Sequence, residues 1–380
     1  MDLQDLKDVI KTIKPADTDA IQAATARQAS LAKPPGSLGG LEDISIRIAG
    51  MTGNVINNVD KSCVIVFCSD NGVVEEGIAS SPVSVTMSQT INFIRRLTGV
   101  GALAECFGSE LLIVDMGVKD PIPEELYTDI PMEDTHKIVN RKIRKGTSNL
   151  AKGPAMTRDE ALQAIATGIE MANAAVSKGY SILGVGEMGI GNTTTSAAIV
   201  SSISGKGASE TVGRGGGLLD DGFARKRTIV DDSTASFRAK ANDGDLSLDD
   251  IIDIISSVGG FDICAMAGAF LGAAANRTPV VIDGVISVTA ALVAYSIAPE
   301  SINYMIASHI SPEPGYKIAI DMLELKPFLA LGMRLGEGSG CPVAFQVIKG
   351  ACDVMKNMAT FDEAAINDDY LTEIRKGGAF

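Results

Sequence analysis

One stretch restricts what this chain can fold into more than any other: residues 180–199, YSILGVGEMGIGNTTTSAAI. Its apolar start, Ser181 to Val185, reads as a strand. A glycine-rich turn follows, then a helix from about Thr193. Gly184, Gly186, Gly189 and Gly191 surround Glu187. Glycine has no Cβ, so the backbone here can approach a ligand closely and take positive φ without steric cost. The helix behind the turn points free N–H groups and the positive end of its dipole back at it. Such a place suits a phosphate. Glu187 is not explained by an anion and is expected to face a sugar hydroxyl or a positively charged ring.

A second glycine loop also carries an acid: Arg334-Leu335-Gly336-Glu337-Gly338-Ser339-Gly340. Gly184 to Gly189 matches the G-x-G-x-x-G dinucleotide fingerprint, but that site needs a second strand ending in an acid about 20 residues on. Glu210 stands near that distance, yet residues 204–209, SGKGAS, make no strand. No Walker lysine follows the loop, which excludes a P-loop NTPase. Two acids beside a phosphate site suit chemistry at a ribose anomeric carbon, where carboxylates stabilise an oxocarbenium-like transition state. One of them can also take the proton of an incoming nucleophile. The plain alternative is that Glu187 and Glu337 cap helix N-termini, where acids are common.

The formal net charge of −14 sets the chain against nucleic acid and anionic membranes. A phosphate ester then needs local cations. The run Arg225-Lys226-Arg227 is either a solvated face or one source of them. The six cysteines form no C-x-x-C pair and sit mostly in apolar runs, as reduced core thiols do. The two histidines, His136 and His309, are far apart, so no metal site is expected. His309 reads either as catalytic or as a loop histidine bonded to backbone. The charged N-terminus lacks an apolar leader, which predicts a cytoplasmic protein. Residues 280–298 are almost wholly apolar, but Asp283-Gly284 interrupts them and Pro279 precedes them. They read as a short strand and a buried helix rather than a membrane span.

Strands near 63–69, 111–114, 137–143, 181–185, 279–282 and 303–307 alternate with helices. That alternation predicts an α/β fold, a parallel sheet with helices on both faces and ligands at the C-terminal strand ends. Helices alone occupy the termini, including 3–13, 18–31, 342–358 and 361–376. The expected organisation is a small helical domain from 1–45 and 342–380 beside a large α/β domain, 46–341.

Several stretches together resemble one family, nicotinate-nucleotide–dimethylbenzimidazole phosphoribosyltransferase, which activates the lower ligand of cobamides. They are KPPGSLGGLE (33–42), DNGVVEEGIASSPVSVT (70–86), GEMGIGNTTTSAA (186–198), GRGGGLLDDGFARKR (213–227), VVIDGVIS (280–287), SHISPEPG (308–315) and MRLGEGSG (333–340). They follow the family's order along nearly the whole chain. The resemblance implies transfer of phosphoribose from nicotinate mononucleotide to a base nitrogen, with inversion and release of nicotinate. It implies Glu337 as general base and Glu187 as the second active-site acid. Gly189, Ile190, Gly191 and Asn192 correspond to the phosphate loop, and Lys226 and Arg334 to cations near it. Asp283 corresponds to a further carboxylate, and Ser81, Gln89 and Leu335 to the acceptor pocket. The family works without a cofactor, has a Rossmann-like domain with a small helical domain from both termini, and is usually a homodimer. One branch uses phenol or p-cresol and pairs with a paralogous subunit. Two departures stand out: Asn71 where the family commonly has His, and Gly215-Gly216-Gly217 where it has a threonine. A non-catalytic nucleotide-binding subunit is the reading of a different class. Retention of both glutamates argues against it.

Overall fold

The computed structural model describes residues 1–244 and 246–371. Apolar runs with no polar alternation have no face to give to water, so they belong in a sheet covered on both sides. Three such runs make the long strands β1 (Ser62–Ser69), β2 (Glu110–Gly117) and, later, β5 (Ile182–Met188). Short strands β3 (Tyr127–Thr128), β4 (Ile138–Asn140), β6 (Val280–Ile282) and β7 (Met305–Ala307) complete one sheet. Its order is β3-β4-β2-β1-β5-β6-β7, and every pairing is parallel. All eight residues of β1 are buried.

The expected α/β architecture is what forms. Helices Arg158–Ser177, Phe261–Ala275 and Val285–Ile297 pack together against the sheet. Helices Ser84–Ile94, Gly99–Phe107 and Gly340–Asn357 make the other layer. The chain leaves β1 toward β2, then returns past β1 to β5. The order therefore reverses beside β1, and its C-terminal end opens the crevice where ligands of such sheets bind.

At the termini, helix Thr18–Ser30 packs on helix Gly40–Thr52, which packs on Gly340–Asn357. Arg27 Nε donates to the Met355 carbonyl at 2.7 Å, and Leu31 pairs with Thr360. Helix Leu3–Thr12 lies against Arg158–Ser177 and Phe261–Ala275 instead. No helix among the described residues is long and apolar enough to cross a membrane. Residues 280–298 form β6 and the buried helix Val285–Ile297.

Three expectations need correction. β5 does not stop at Val185: Gly186 pairs with Val66, Glu187 with Phe67 and Met188 with Cys68. Glu187 is therefore a strand residue, not a loop residue. β2 likewise runs through Asp115, whose Oδ1 accepts the Gly117 and Val118 amides at 3.0 and 2.8 Å. The helix expected over 361–376 is absent from its described part. Residues 361–365 turn, Ala365 takes φ +54°, and only a short 3-10 turn follows at Asp369–Leu371. The polar run Asn367-Asp368-Asp369 offers no apolar face to dock. Residues 372–376 lie outside the described residues.

Candidate active site

The site grows from the C-terminal end of β5. Side chains alternate along a strand, so Gly184 and Gly186 face one layer and Glu187 the other. On the glycine side the loop before helix Gly340–Asn357 presses directly onto the strand. A Cβ on Gly186 would lie 2.2 Å from the Glu337 carbonyl oxygen, and one on Gly184 would lie 2.6 Å from Cys341 Cβ. The glycines therefore admit another segment of this chain as well as a ligand.

That loop is held in an unusual shape. Glu337 takes φ +62°, left-handed backbone that a non-glycine residue rarely adopts. Asp283, just past β6, fixes it from the sheet. Its Oδ2 accepts the Gly338 amide at 3.1 Å and its Oδ1 the Gly340 amide at 2.7 Å. Asp283 thus supplies a cap that helix Gly340–Asn357 lacks at its own N-cap, Ser339. Burial pushes Asp283 up to about 7, against the pull of these amides. Asp283→Ala leaves two buried donors unpaired and is expected to destabilise the fold by about 2 kcal/mol. A urea midpoint equal to the parent's would overturn this role.

The two glutamates meet here. The Glu337 amide donates to Glu187 Oε1 at 3.3 Å. Glu187 Oε2 accepts from Asn192 Nδ2, at the start of helix Asn192–Ser204. Glu187 is 9% exposed; burial, with the Asp262 carboxylate close by, pushes it up to about 8. Glu337 Oε2 accepts the Val100 amide at 3.1 Å, at the N-terminus of helix Gly99–Phe107. Burial raises Glu337 as well, while the Val100 and Gly99 amides pull it back. The capping alternative is thus half right. Glu187 caps nothing, whereas Glu337 serves a helix far from it in sequence.

A cavity of about 310 Å³ opens over this meeting point, within the range of small-ligand sites. Gly189, Ile190, Gly191 and Asn192 line it on the side of the glycine turn. Gly191 has φ +96°, and no side chain caps the helix it precedes, which leaves the helix N-terminus turned to the cavity. Ser81, Gln89 and Leu335 line the side of helix Ser84–Ile94. Asn92 Nδ2 donates to Gln89 Oε1 at 3.0 Å, which turns Gln89 Nε2 toward Glu337 Oε1 at 3.5 Å. Glu187, Glu337, Asp283 and Arg334 line it too.

Lys226 alone among the expected residues stands back from the cavity. It is 1% exposed, and its Nζ donates to Thr193 Oγ1 at 2.9 Å and to the Gly213 carbonyl at 3.1 Å. Burial pushes it down to about 8. Thr193, which lines the cavity, stands between. His309 lines the cavity with Nδ1 3.0 Å from Ser308 Oγ, so its partner is a side chain rather than backbone. Burial lowers its pKa, which keeps the ring neutral at pH 7.

Asp262 escaped the sequence reading, and so did the bond that Asn71 makes. Asp262 Oδ2 accepts from Asn192 Nδ2 at 3.0 Å, and Asn71 Nδ2 donates to the Ile190 carbonyl at 3.4 Å. The signal for Asp262 was present: it is the lone charge in the otherwise apolar helix FDICAMAGAFLGAAA.

The arrangement is a helix N-terminus without a side-chain cap, two acids at one point and an apolar wall beside the second acid. Comparison with known proteins agrees in kind. A family model described as "Phosphoribosyltransferase" matches residues 13–366. The chain is 50% identical over 370 residues to the nicotinate-nucleotide–dimethylbenzimidazole phosphoribosyltransferase of Clostridium perfringens (strain 13 / Type A), covering 97% of this chain and 98% of that one. It is 43% identical over 372 residues to the protein of that name from Clostridium tetani, covering 98% of each. The crystal structure of CobT from Thermus thermophilus superposes with a TM-score of 0.83 at 34% identity, over 92% of this chain and 99% of that one. A near-full-length match at this identity, with the same fold, leaves one assignment: the chain belongs to the nicotinate-nucleotide–dimethylbenzimidazole phosphoribosyltransferase family.

Proposed function

We propose that this chain transfers phosphoribose from nicotinate mononucleotide to a ring nitrogen of a benzimidazole-type base, such as 5,6-dimethylbenzimidazole. The products are the α-riboside 5′-phosphate and nicotinate. One observation carries the reading: Glu337, an acid held off its ordinary pKa, sits between the Ser81–Gln89–Leu335 wall and Glu187. The glycine turn at 189–192 takes the phosphate, backed by Thr193 and Lys226 and rimmed by Arg334. The acceptor nitrogen attacks the anomeric carbon from the face opposite the pyridinium. The bond to the pyridinium nitrogen breaks, and its electron pair returns to the ring. Nicotinate leaves with a neutral pyridine nitrogen, so no strong general acid is needed. The Glu337 carboxylate takes the acceptor's N–H proton. Glu187 faces the sugar and stabilises the positive charge that develops there.

Glu337 must be ionised to act, and burial raises its pKa. Activity is therefore expected to fall as pH drops through a limb above the ordinary glutamate value of about 4.3. A kcat/KM profile from pH 4 to 9 reads it, and a flat profile across that range would sink the assignment.

Residues 46–341 make the catalytic domain in this reading, and 1–45 with the described residues from 342 on a small, mainly helical one. The contacts among helices Thr18–Ser30, Gly40–Thr52 and Gly340–Asn357 tie the two ends together, while helix Gly40–Thr52 runs across residue 45 and helix Leu3–Thr12 packs on the large domain. Leu97 and Leu335 are exposed at 72% and 60%, and Leu335 lies against Gly99. A homodimer is the assembly in this reading, and light scattering checks it. Five buried free thiols fit a reducing, cytoplasmic setting.

The test is direct. The purified chain is incubated with nicotinate mononucleotide and either 5,6-dimethylbenzimidazole or p-cresol. Nicotinate release and product mass are followed. An N-linked riboside phosphate supports the proposal. An O-linked aryl product would replace the acceptor, and no release with either would overturn the reading.

A further inference from the structure

Behind the cavity wall lie two buried polar side chains, Asn71 and Asp262, that the reaction above does not use. Asn71 bonds the Ile190 carbonyl, and Asp262 bonds Asn192, which in turn bonds Glu187. A single nitrogen, Asn192 Nδ2, donates to both Asp262 Oδ2 and Glu187 Oε2. Two carboxylates sharing one amide cannot both be charged cheaply in so dry a place. Neither forms an ion pair among the described residues. The ionisable groups around them are acids and thiols: Asp70 and Cys264 beside Asp262, and Asp283, Glu337 and Cys68 beside Glu187. Burial raises both carboxyls, and the Asp262 charge raises Glu187 further, so the pair titrates as a unit and holds a proton more readily than two free acids.

Hydrogen bonding decides where that proton sits. Both Glu187 oxygens already receive N–H groups, from Asn192 and from the Glu337 backbone. Asp262 Oδ1 receives none, and neither does Asn71 Oδ1. The two orphaned oxygens converge: each lies within 2.7 Å of the point where a Cβ on Gly260 would stand. A proton on Asp262 Oδ1 turns one of two repelling acceptors into a donor and satisfies both. A proton on Glu187 satisfies neither.

We propose that Asp262 is a positioning residue of this reaction. It holds the shared proton and anchors Asn192, so that Glu187 faces the sugar as a carboxylate. Through Asn71 the same proton ties Glu187 to the glycine turn at Ile190, so the phosphate grip and the sugar-facing charge are set by one network. The inference rests on the transferase reading for its kinetic arm but not for its spectroscopic one.

The spectroscopic arm is infrared absorption at pH 7 of protein carrying 13C-carboxyl label in Asp only or in Glu only. A protonated-carboxyl band that moves on Asp labelling and is missing from Asp262→Asn supports the proposal. If no Asp-labelled component disappears in Asp262→Asn, the proposal is overturned. The kinetic arm compares Asp262→Ala with Asp262→Asn. Asparagine mimics the protonated acid: it accepts from Asn192 and donates to Asn71. Alanine is expected to lower kcat tenfold or more with KM within about twofold, and asparagine to restore kcat to within about threefold of the parent. A folded Asp262→Asn as impaired as alanine would overturn the proposal even where Asp262→Ala does not fold. A parent that releases no nicotinate from any mixture ends the transferase reading alone, and the infrared result still decides where the proton sits.

Discussion

Glu337→Gln is expected to lower kcat by about 10²–10⁴-fold while nicotinate mononucleotide still binds. The substitution changes little else. Glutamine keeps the length of the side chain and can still accept the Val100 amide that holds Glu337 Oε2 at 3.1 Å. The left-handed backbone at 337 is equally strained for either residue. What is lost is the group proposed to take the acceptor's proton. Nicotinate release gives kcat, and calorimetry with the nucleotide alone gives its affinity. A large fall in the first with the second unchanged fits a base. Unchanged turnover would remove Glu337 from the chemistry.

Gly186→Ala is expected to damage both stability and turnover, although it adds one methyl group on a strand. The new Cβ would stand 2.2 Å from the Glu337 carbonyl oxygen, 2.5 Å from its carbonyl carbon and 2.7 Å from the Gly338 nitrogen. All three are backbone atoms and have no rotamer to change. The strand cannot retreat, because Gly186 is paired with Val66 in the middle of the sheet. The loop cannot lift freely, because Asp283 holds its Gly338 and Gly340 amides. Overpacking of this kind costs about 1–3 kcal/mol. Moving the loop also moves the Glu337 carboxylate, and a shift near 1 Å lowers turnover about a hundredfold. Gly350→Ala is the control. It lies in helix Gly340–Asn357 with nothing within 4 Å of a new Cβ, and alanine there favours the helix by up to about 1 kcal/mol. Thermal melts of the two variants should part in opposite directions, and only Gly186→Ala should lose kcat. Equal values would show that the loop yields easily.

These two cases show what local sequence pattern can and cannot reveal. The strands were legible because β1 and β2 are apolar without alternation, and Glu187 and Glu337 were legible as acids set among glycines. The extent of β5 was not. Gly184 and Gly186 look like turn residues until Cys341 and Glu337, more than 150 residues on, are seen lying against them. Asp262 was hidden for a related reason. Its helix reads as core, and its partner Asn192 is 70 residues away. Lys226 was found as a cation near the phosphate loop, but only the folded chain shows Thr193 between it and the cavity. The helix expected past Phe361 failed at Ala365, where the backbone turns left-handed. Apart from that helix, each miss is a long-range packing contact overriding a local preference.

The docking of residues 336–341 onto β5 also sets an order of events during synthesis. Every strand among the described residues lies before residue 308, so the sheet can be complete while the last segment is still unmade. Until that segment arrives, the face of β5 bearing Gly184 and Gly186 is bare, and Val64, which Gly338 later approaches, lies open beside it. A chain released at about residue 330 would carry the glycine turn and Glu187 but no Glu337, and it would show an uncovered apolar sheet face to its neighbours. The segment that brings Glu337 onto β5 adds the second acid and, in the same movement, closes the surface through which the nascent protein would otherwise aggregate.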